Sequence, residues 1–284
     1  QLLPASSYFD FWYRPFSTRP LATLQRLQLS ATTMCFARAA ICKLGEFAVP
    51  NAGPRAPWRA MQMVVRRAYA HRWRRPPEDL YIATRHSNTS TNVVFIARHH
   101  RRALINIPQL LAWCSATLPR EHLTPRCSAH VFGEHGFAED VKVGQKADVM
   151  IGSHGADLVN AFLMDAGASV VEARPWLFDA DEGPWATFYQ DLFGLDNAVF
   201  HYGIELRMND TVGAPELNLK RAGDVSAHNT WNMNMSFPLE ALAFFLATIR
   251  TVNGDSGRYA ALPRKVKTCD PDGPCRRVRG SSST

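Results

Sequence analysis

Residues 148–175 read DVMIGSHGADLVNAFLMDAGASVVEARP, and this stretch decides the fold. A short apolar run, residues 148–151, ends at Gly152, and Gly155 follows three positions later, so the backbone can turn sharply there. Apolar side chains then recur three or four positions apart over residues 156–165, as one face of a helix requires. The first half of the stretch is therefore predicted to be a strand, a tight turn and a helix.

The second half of the stretch completes the unit. Gly167 follows the helix as a residue just past a helix end should, and residues 169–172 form the next strand. A right-handed βαβ crossover of this kind places the helix start at the carboxyl edge of the sheet, where α/β folds bind ligands. Its unpaired N–H groups and the positive end of its dipole suit a phosphate. We therefore predict an anion site at this turn, with a packed turn that binds no ligand as the alternative.

The side chains of the turn narrow the chemistry. Ser153 and His154 add hydrogen-bond donors to the predicted anion site. A serine hydrolase is disfavoured, because Ile151 stands two residues before Ser153 where the G-x-S-x-G elbow needs glycine.

Strands and helices alternate along most of the chain, which predicts an α/β fold with a Rossmann-type parallel sheet and helices on both faces. The predicted strands are residues 93–97, 129–132, 148–151, 169–172 and 198–202. The predicted helices are residues 107–117, 138–146, 156–165 and 185–193, followed near the end of the chain by one that Ser236 caps and that continues to about residue 252.

Charged residues follow two of these strands at the carboxyl edge. Arg98, Arg101 and Arg102 come after the first strand, so one or two of them are placed to reach the same anion as the His154 turn. The alternative is a solvated basic loop. Glu172 ends another strand, where an acidic side chain accepts hydrogen bonds from a ribose in dinucleotide-binding folds.

The heptapeptide HGADLVN, residues 154–160, resembles the H-G-A-G-L-x-N signature of the family 61 glycosyltransferases. Shorter pieces match in order before it, including Cys35-Phe36 and VFIAR at residues 94–98, and the resemblance covers about residues 34–252. It implies a GT-B-like fold whose N-terminal domain is incomplete. The implied division is a partial acceptor-side domain at 1–79, a nucleotide-sugar-binding domain at 80–235, a closing helix at 236–257 and a disordered tail at 258–284.

The resemblance implies transfer of a sugar from a nucleotide donor, a UDP-sugar, to a glycan or glycoprotein hydroxyl, with inversion. It implies no permanently bound cofactor and no required metal, and a location in the lumen of the Golgi or endoplasmic reticulum. His154 is a candidate base by its chemistry, although its position favours contact with the leaving group, and Asp10 is a candidate base only by elimination. The donor-binding residues, taken from the resemblance and the strand-edge positions together, are Arg98, Arg102, Gly152, Ser153, His154, Gly155, Ala156, Asn160 and Glu172.

Two departures from the family pattern qualify this transfer. Asp157 stands where the family has a second glycine, and its carboxylate would stabilise an empty helix start but repel a diphosphate. Glu139-Asp140 replaces a Glu-Gln pair and removes an amide. The alternative function is therefore a non-catalytic module that binds a nucleotide or another polyanion.

Composition sets wider bounds. The 284 residues are 46% apolar and carry a net charge of +7, which predicts a globular protein with an anionic partner. Residues 58–75 form a predicted basic amphipathic helix, which suits nucleic acid, a membrane surface or simply solvent, and we favour solvent and expect no nucleic-acid partner. No run of about twenty apolar residues occurs, so a targeting or anchoring segment, if the protein has one, is expected outside this chain.

The six cysteines form no C-x-x-C pair, which argues against a zinc site. Disulfides remain open, and Cys269 and Cys275 flank a turn-rich segment that would bring them together. Asp179 and Asp181 form a D-x-D triplet, but the segment RPWLF intervenes between it and the preceding strand, so a metal role is disfavoured. Three triplets fit the N-glycosylation pattern, at Asn88, Asn209 and Asn234.

Overall fold

The computed structural model describes residues 90–99, 101–117, 124–176, 178, 189–190, 193, 199–212 and 233–269. The chain divides into two units, residues 1–80 and 81–284, and every described residue lies in the second. Several expectations therefore fall outside the described residues: the domain at 1–79 with Asp10, the basic helix at 58–75, Asn88, the D-x-D triplet at 179–181 and Cys275.

A parallel sheet of six strands forms the centre of the described unit. The strands are β1 (Ser90–Ile96), β2 (Thr124–His130), β3 (Val149–Ser153), β4 (Ser169–Arg174), β5 (Phe200–Glu205), β6 (Thr211–Val212), β7 (Asn234–Met235) and β8 (Thr268–Cys269). The order in the six-stranded sheet is β2-β1-β3-β4-β5-β8, and all five neighbouring pairs are parallel. β6 and β7 form a separate antiparallel pair. This confirms the predicted α/β fold with a Rossmann-type parallel sheet, and it is consistent with a GT-B-like arrangement.

Helices flank the sheet. They are α1 (Ile107–Thr117), α2 (Phe137–Lys146), a 3₁₀ helix (Ala156–Leu163), α3 (Leu239–Val252), α4 (Ser256–Ala261) and α5 (Arg264–Lys267). Alternate side chains of the strands, such as Phe95 and Ile151, share one buried cluster with Leu110 of α1 and Phe245 of α3. The 3₁₀ helix contacts β3 and β4 and packs against α2.

The sequence predicted the interior strands and α1 well and the edge strand poorly. The predicted bounds of α1, residues 107–117, are the observed ones. The strand predicted at 129–132 is wrong, because β2 begins at Thr124 and ends at His130. β2 is the outer strand of the sheet and exposes Arg126 and Ser128, so its polar residues hide the apolar pattern that marks a buried strand.

The helix after Gly155 is present but differs from the prediction. It is a 3₁₀ helix and ends at Leu163, whereas an α-helix to residue 165 was expected. Gly167, expected just past the helix end, lies in a following turn with φ +85°, in which the Ala168 amide donates to the Asp165 carbonyl. The strand–turn–helix–strand order is therefore confirmed, although the helix is shorter and more tightly wound.

The predicted disordered tail from residue 258 is wrong for residues 258–269, which form parts of α4, α5 and β8. The Tyr259 ring is buried and stacks on Phe200 with centroids 4.6 Å apart, and its hydroxyl donates to the His201 carbonyl at 2.6 Å. One large buried side chain thus anchors a segment whose composition reads as polar. Residues 270–284 lie outside the described part.

Two further features complete the fold. A disulfide joins Cys114 of α1 to Cys127 of β2, a pairing that the sequence alone did not indicate.

The expected Ser236 cap is wrong, because Pro238 occupies the N-cap position of α3 and no side chain caps it. Among the helices of the described residues, none combines the length and the apolar character needed to cross a bilayer.

Candidate functional site

The candidate site lies where the strand order of the sheet changes direction. β1 has β2 on one side and β3 on the other, so the loops after β1 and β3 leave the carboxyl edge in opposite directions and open a crevice between them. Arg98 and Arg102 belong to the loop after β1, and Gly155 belongs to the turn after β3. A Cβ added to Gly155 would lie 2.7 Å from Arg98 Nη1 and 3.1 Å from Arg102 Nη1. Both predicted arginines therefore converge on the predicted turn.

Gly155 is held in a conformation that suits glycine. Its φ is +149°, a region that residues with a side chain rarely adopt. Its carbonyl accepts a hydrogen bond of 2.6 Å from the hydroxyl of Tyr189. Burial raises the pKa of the Tyr189 phenol, so this group stays protonated and remains the donor.

Arg102 is held in an unusual backbone conformation beside this turn. Its φ is +61°, and the Ser153 hydroxyl donates to its carbonyl at 2.5 Å. Its Nη1 reaches the His154 carbonyl at 3.4 Å, a long contact. Burial lowers the pKa of Arg102, and the nearby charges of Arg98 and Arg101 lower it further. A strained backbone and clustered positive charge are features that recur at anion-binding sites.

The arginines also hold donors that are not satisfied within the described part of the chain. Arg98 Nη1 and Arg102 Nε are buried and have no hydrogen-bond partner among the described residues. Arg98 Nε pairs with Asp157 Oδ2 at 2.9 Å. Buried donors without a partner are costly, so these two nitrogens make the turn a candidate site for an anionic ligand.

The backbone amides of the turn contribute less than predicted. The His154 amide donates to the Ala173 carbonyl at 2.8 Å, so it is not directed at a ligand. The first bond within the 3₁₀ helix runs from the Leu158 amide to the Gly155 carbonyl at 3.0 Å. The amides of residues 155–157 precede that bond and are the ones left at the helix start. The predicted anion site at this turn therefore lacks one of its backbone donors, the His154 amide.

Three of the predicted donor-binding residues support the turn from within. Gly152 lets β1 approach closely, because a Cβ there would lie 2.7 Å from Ile96 Cδ1. Ser153 is buried and holds the Arg102 loop through its hydroxyl. Asn160 Nδ2 donates to the Asp157 carbonyl at 2.9 Å, inside the 3₁₀ helix. Ala156, by contrast, is exposed at the helix start.

The Glu172 carboxylate is buried and is hydrogen-bonded to two histidines. His154 Nδ1 hydrogen-bonds to its Oε1, and His201 Nε2 hydrogen-bonds to its Oε2 at 2.9 Å. Burial would raise the pKa of the Glu172 carboxyl, but the hydrogen bonds from the two histidines and the charge of Arg174 outweigh it and hold the pKa well below its ordinary value. The predicted hydrogen bond from a ribose is not favoured by this geometry, because both oxygens are already engaged and the side chain is 1% exposed.

Aromatic rings enclose His154. Its ring centroid lies 4.4 Å from that of Phe178 and 5.4 Å from that of Tyr189. Neither ring nor His201 was identified from the sequence. The sequence motifs are local. Phe178, Tyr189 and His201 lie later in the chain, and only the fold brings them close to the turn.

Asp140, part of the second departure from the family pattern, is held by hydrogen bonds within the protein. Its Oδ1 hydrogen-bonds to His130 Nε2 at 2.8 Å, and its Oδ2 accepts from the Gly133 amide at 3.0 Å. It therefore ties α2 to the loop after β2. Glu139 beside it is exposed and pairs with Lys142.

A comparison with known protein families matches the part of the chain that contains the arginines and the turn of this site. The profile of the family described as Glycosyltransferase 61 matches residues 20–171, which is more than half of the chain. The matched segment includes Arg98, Arg102 and the whole turn after β3. No protein with a curated description matches the chain.

Proposed function

The chain belongs to the glycosyltransferase 61 family, and we propose that it transfers a sugar from a UDP-sugar to a hydroxyl of a glycan or glycoprotein, with inversion at the sugar carbon. Glycosyltransferase activity in general follows from the family. The donor, the acceptor and the stereochemical course are the proposed part.

One observation carries the donor proposal. The guanidinium groups of Arg98 and Arg102 converge on Gly155 at the carboxyl edge of the sheet, and each contributes a buried nitrogen without a partner among the described residues. Arginine offers several donors in a fixed geometry that matches phosphate oxygens. A diphosphate placed against Gly155 would satisfy both nitrogens and meet the amides of residues 155–157.

The same groups suit the chemical step. In an inverting transfer the acceptor hydroxyl attacks the sugar carbon, its proton passes to a base, and the bond to the diphosphate breaks. Negative charge then develops on the departing diphosphate, where donors already in place stabilise it most. Because two arginines supply the positive charge, we propose that no metal ion is required and that no cofactor is permanently bound.

We also propose that the protein works in the secretory lumen. The disulfide between Cys114 and Cys127 supports an oxidising compartment. Of the N-glycosylation triplets in described residues, Asn209 is exposed, whereas Asn234 Oδ1 accepts a hydrogen bond from the Ala103 amide. Asn209 is therefore the better acceptor of the two.

Asp157 gives weight to the second candidate function, a module that binds a nucleotide or another polyanion without turnover. Its carboxylate pairs with Arg98 and so competes with a diphosphate for that side chain. In such a module UDP would bind while no sugar would be released.

Binding and turnover separate the two functions. We would measure UDP binding by calorimetry and the release or transfer of label from radiolabelled UDP-sugars, in the parent and in the Arg98→Ala/Arg102→Ala double variant. The transferase proposal expects both signals in the parent and neither in the variant. Arg250→Ala, which removes an exposed arginine from the last turn of α3, is the matched control and should change nothing. UDP binding without release of any sugar would favour the module instead.

A further inference from the structure

We propose that UDP binding to this protein is linked to proton uptake by His154, and that Glu172, supported by His201, is the positioning residue that makes this possible. The inference rests on the proposed donor site. It concerns the buried chain from His201 through Glu172 to His154, which links β5 and β4 to the turn after β3.

The hydrogen bonds fix which ring nitrogen of His154 remains for a ligand. Glu172 is ionised, since its pKa lies well below the ordinary value, and an ionised carboxylate only accepts hydrogen bonds. His154 Nδ1 therefore carries its proton towards Glu172. Nε2 is the nitrogen that remains, and it can donate to a phosphate oxygen only when the ring is protonated.

The ring has little freedom to turn away from this arrangement. His154 is buried, and its main-chain amide is bonded to the Ala173 carbonyl. Phe178 and Tyr189 pack against its ring. His201, buried as well, occupies the second oxygen of Glu172, and its own carbonyl accepts from Tyr259. His201 therefore holds one oxygen of the Glu172 carboxylate, and the other oxygen faces Nδ1 of His154.

Charges of both signs surround His154. The negative groups are Glu172 and Asp157, and His201 and the Tyr189 phenol are the remaining titratable neighbours. The positive groups are Arg98 and Arg102 from the loop after β1 and Arg174 at the end of β4. A bound diphosphate adds negative charge beside the arginines, so it favours the protonated ring and gives Nε2 a partner.

Calorimetry of UDP binding in buffers with different ionisation enthalpies measures the proton uptake directly. We expect the parent to take up more protons on binding UDP than His154→Gln does, and its affinity for UDP to fall as the pH rises through neutrality. The ionisation of free UDP is the same in every experiment, and uptake is taken as the difference from His154→Gln.

Glu172→Gln is the decisive variant, because it keeps the size of the side chain but removes the charge that stabilises protonated His154. It should bind UDP more weakly and lose the proton uptake together with the pH dependence. Glu139→Gln makes the same chemical change at an exposed carboxylate on α2 and should behave like the parent. The comparison of the parent with His154→Gln needs no folded variant of Glu172, so it tests the proton linkage even if Glu172→Gln does not fold.

The outcomes distinguish this inference from the donor proposal. If the parent binds UDP with the same proton balance as His154→Gln, the proton linkage is wrong and the donor site stands. If Glu172→Gln binds UDP with undiminished uptake, the positioning role of Glu172 is wrong. If the parent does not bind UDP at all, the donor proposal and the linkage both fall.

Discussion

Arg98 Nε lies 2.9 Å from Asp157 Oδ2, so the carboxylate that replaces the family's second glycine is paired with one of the two arginines of the site. The two side chains are 18% and 33% exposed, which makes the pair only partly screened by water. In the proposed donor site, Asp157 would therefore compete with the diphosphate for Arg98.

Asp157→Gly should tighten UDP binding. A partly exposed ion pair is worth about 1 kcal/mol, so releasing Arg98 should raise the affinity by roughly threefold to tenfold in calorimetry. Asp157→Asn, which removes the charge and keeps the side chain, should act in the same direction. Glu240→Gln removes an exposed carboxylate from the first turn of α3 and serves as the control. Weaker binding by a folded Asp157→Gly variant would mean that Asp157 contacts the ligand productively.

Gly155→Ala should abolish UDP binding, because the added Cβ would lie where the ligand and the arginines meet. It should also lower the free energy of unfolding by about 1–3 kcal/mol, since φ +149° strains any side-chain-bearing residue. Gly133→Ala is the matched control: φ is +93° there, but nothing lies within 4 Å of an added Cβ. That variant should lose stability and keep its affinity for UDP. Unchanged UDP binding by Gly155→Ala would leave the turn a structural element only.

Arg102→Gly should weaken UDP binding without a matching loss of stability. The left-handed conformation at φ +61° costs a residue with a side chain roughly 1–2 kcal/mol, and glycine avoids that cost while adding freedom to the unfolded chain. Asn253→Gly relieves the other non-glycine residue with positive φ among those described, at the end of α3, and should leave binding intact. Urea unfolding and UDP calorimetry on both variants test this. A large loss of stability in Arg102→Gly alone would show that the arginine holds the loop rather than the ligand.

Glu172→Gln should change how stability depends on pH. A carboxyl whose pKa is depressed in the folded state stabilises the protein above its unfolded pKa, here about 4.5, and this stabilisation is lost as the pH falls from there towards the folded pKa. Near neutral pH the variant should be less stable by about 1.5–3 kcal/mol, the worth of a hydrogen bond to a charged group. Urea unfolding at several pH values should show the two curves converging in acid. Parallel curves would mean that the charge of Glu172 contributes no stability.

The sequence predicted those elements of the fold whose own residue pattern indicates that they are buried or form a turn. β3 and β4 are buried on both faces of a parallel sheet, and each contains adjacent apolar residues, VMI in β3 and VV in β4. The glycines at 152 and 155 mark the turn, and strand-end logic places Arg98 and Arg102 beside it. The edge strand β2 and the segment around Tyr259 were mispredicted, because one polar edge and one buried ring leave no periodic signal.

The contacts that shape the site were out of reach for a different reason. The pairs Arg98–Asp157, Tyr189–Gly155 and His201–Glu172 each join elements that are distant in sequence. Each becomes close only when the strand register is fixed, and the register of β4 with β5 sets Glu172 opposite Gly203, two residues from His201. Spacing within one motif carries no information about such pairs.

The short strand β8 protects one edge of the sheet from pairing with another chain. It pairs with β5 at Gly203 and Ile204 only, and so covers part of a backbone edge that would otherwise offer unpaired N–H and C=O groups to another chain. A protein cut after residue 257, the end of the predicted closing helix, would lose both this short strand and the Tyr259 ring packed on Phe200. Such a shortened chain would expose the backbone edge of β5 and be expected to self-associate, although every described residue of the proposed donor site would still be present.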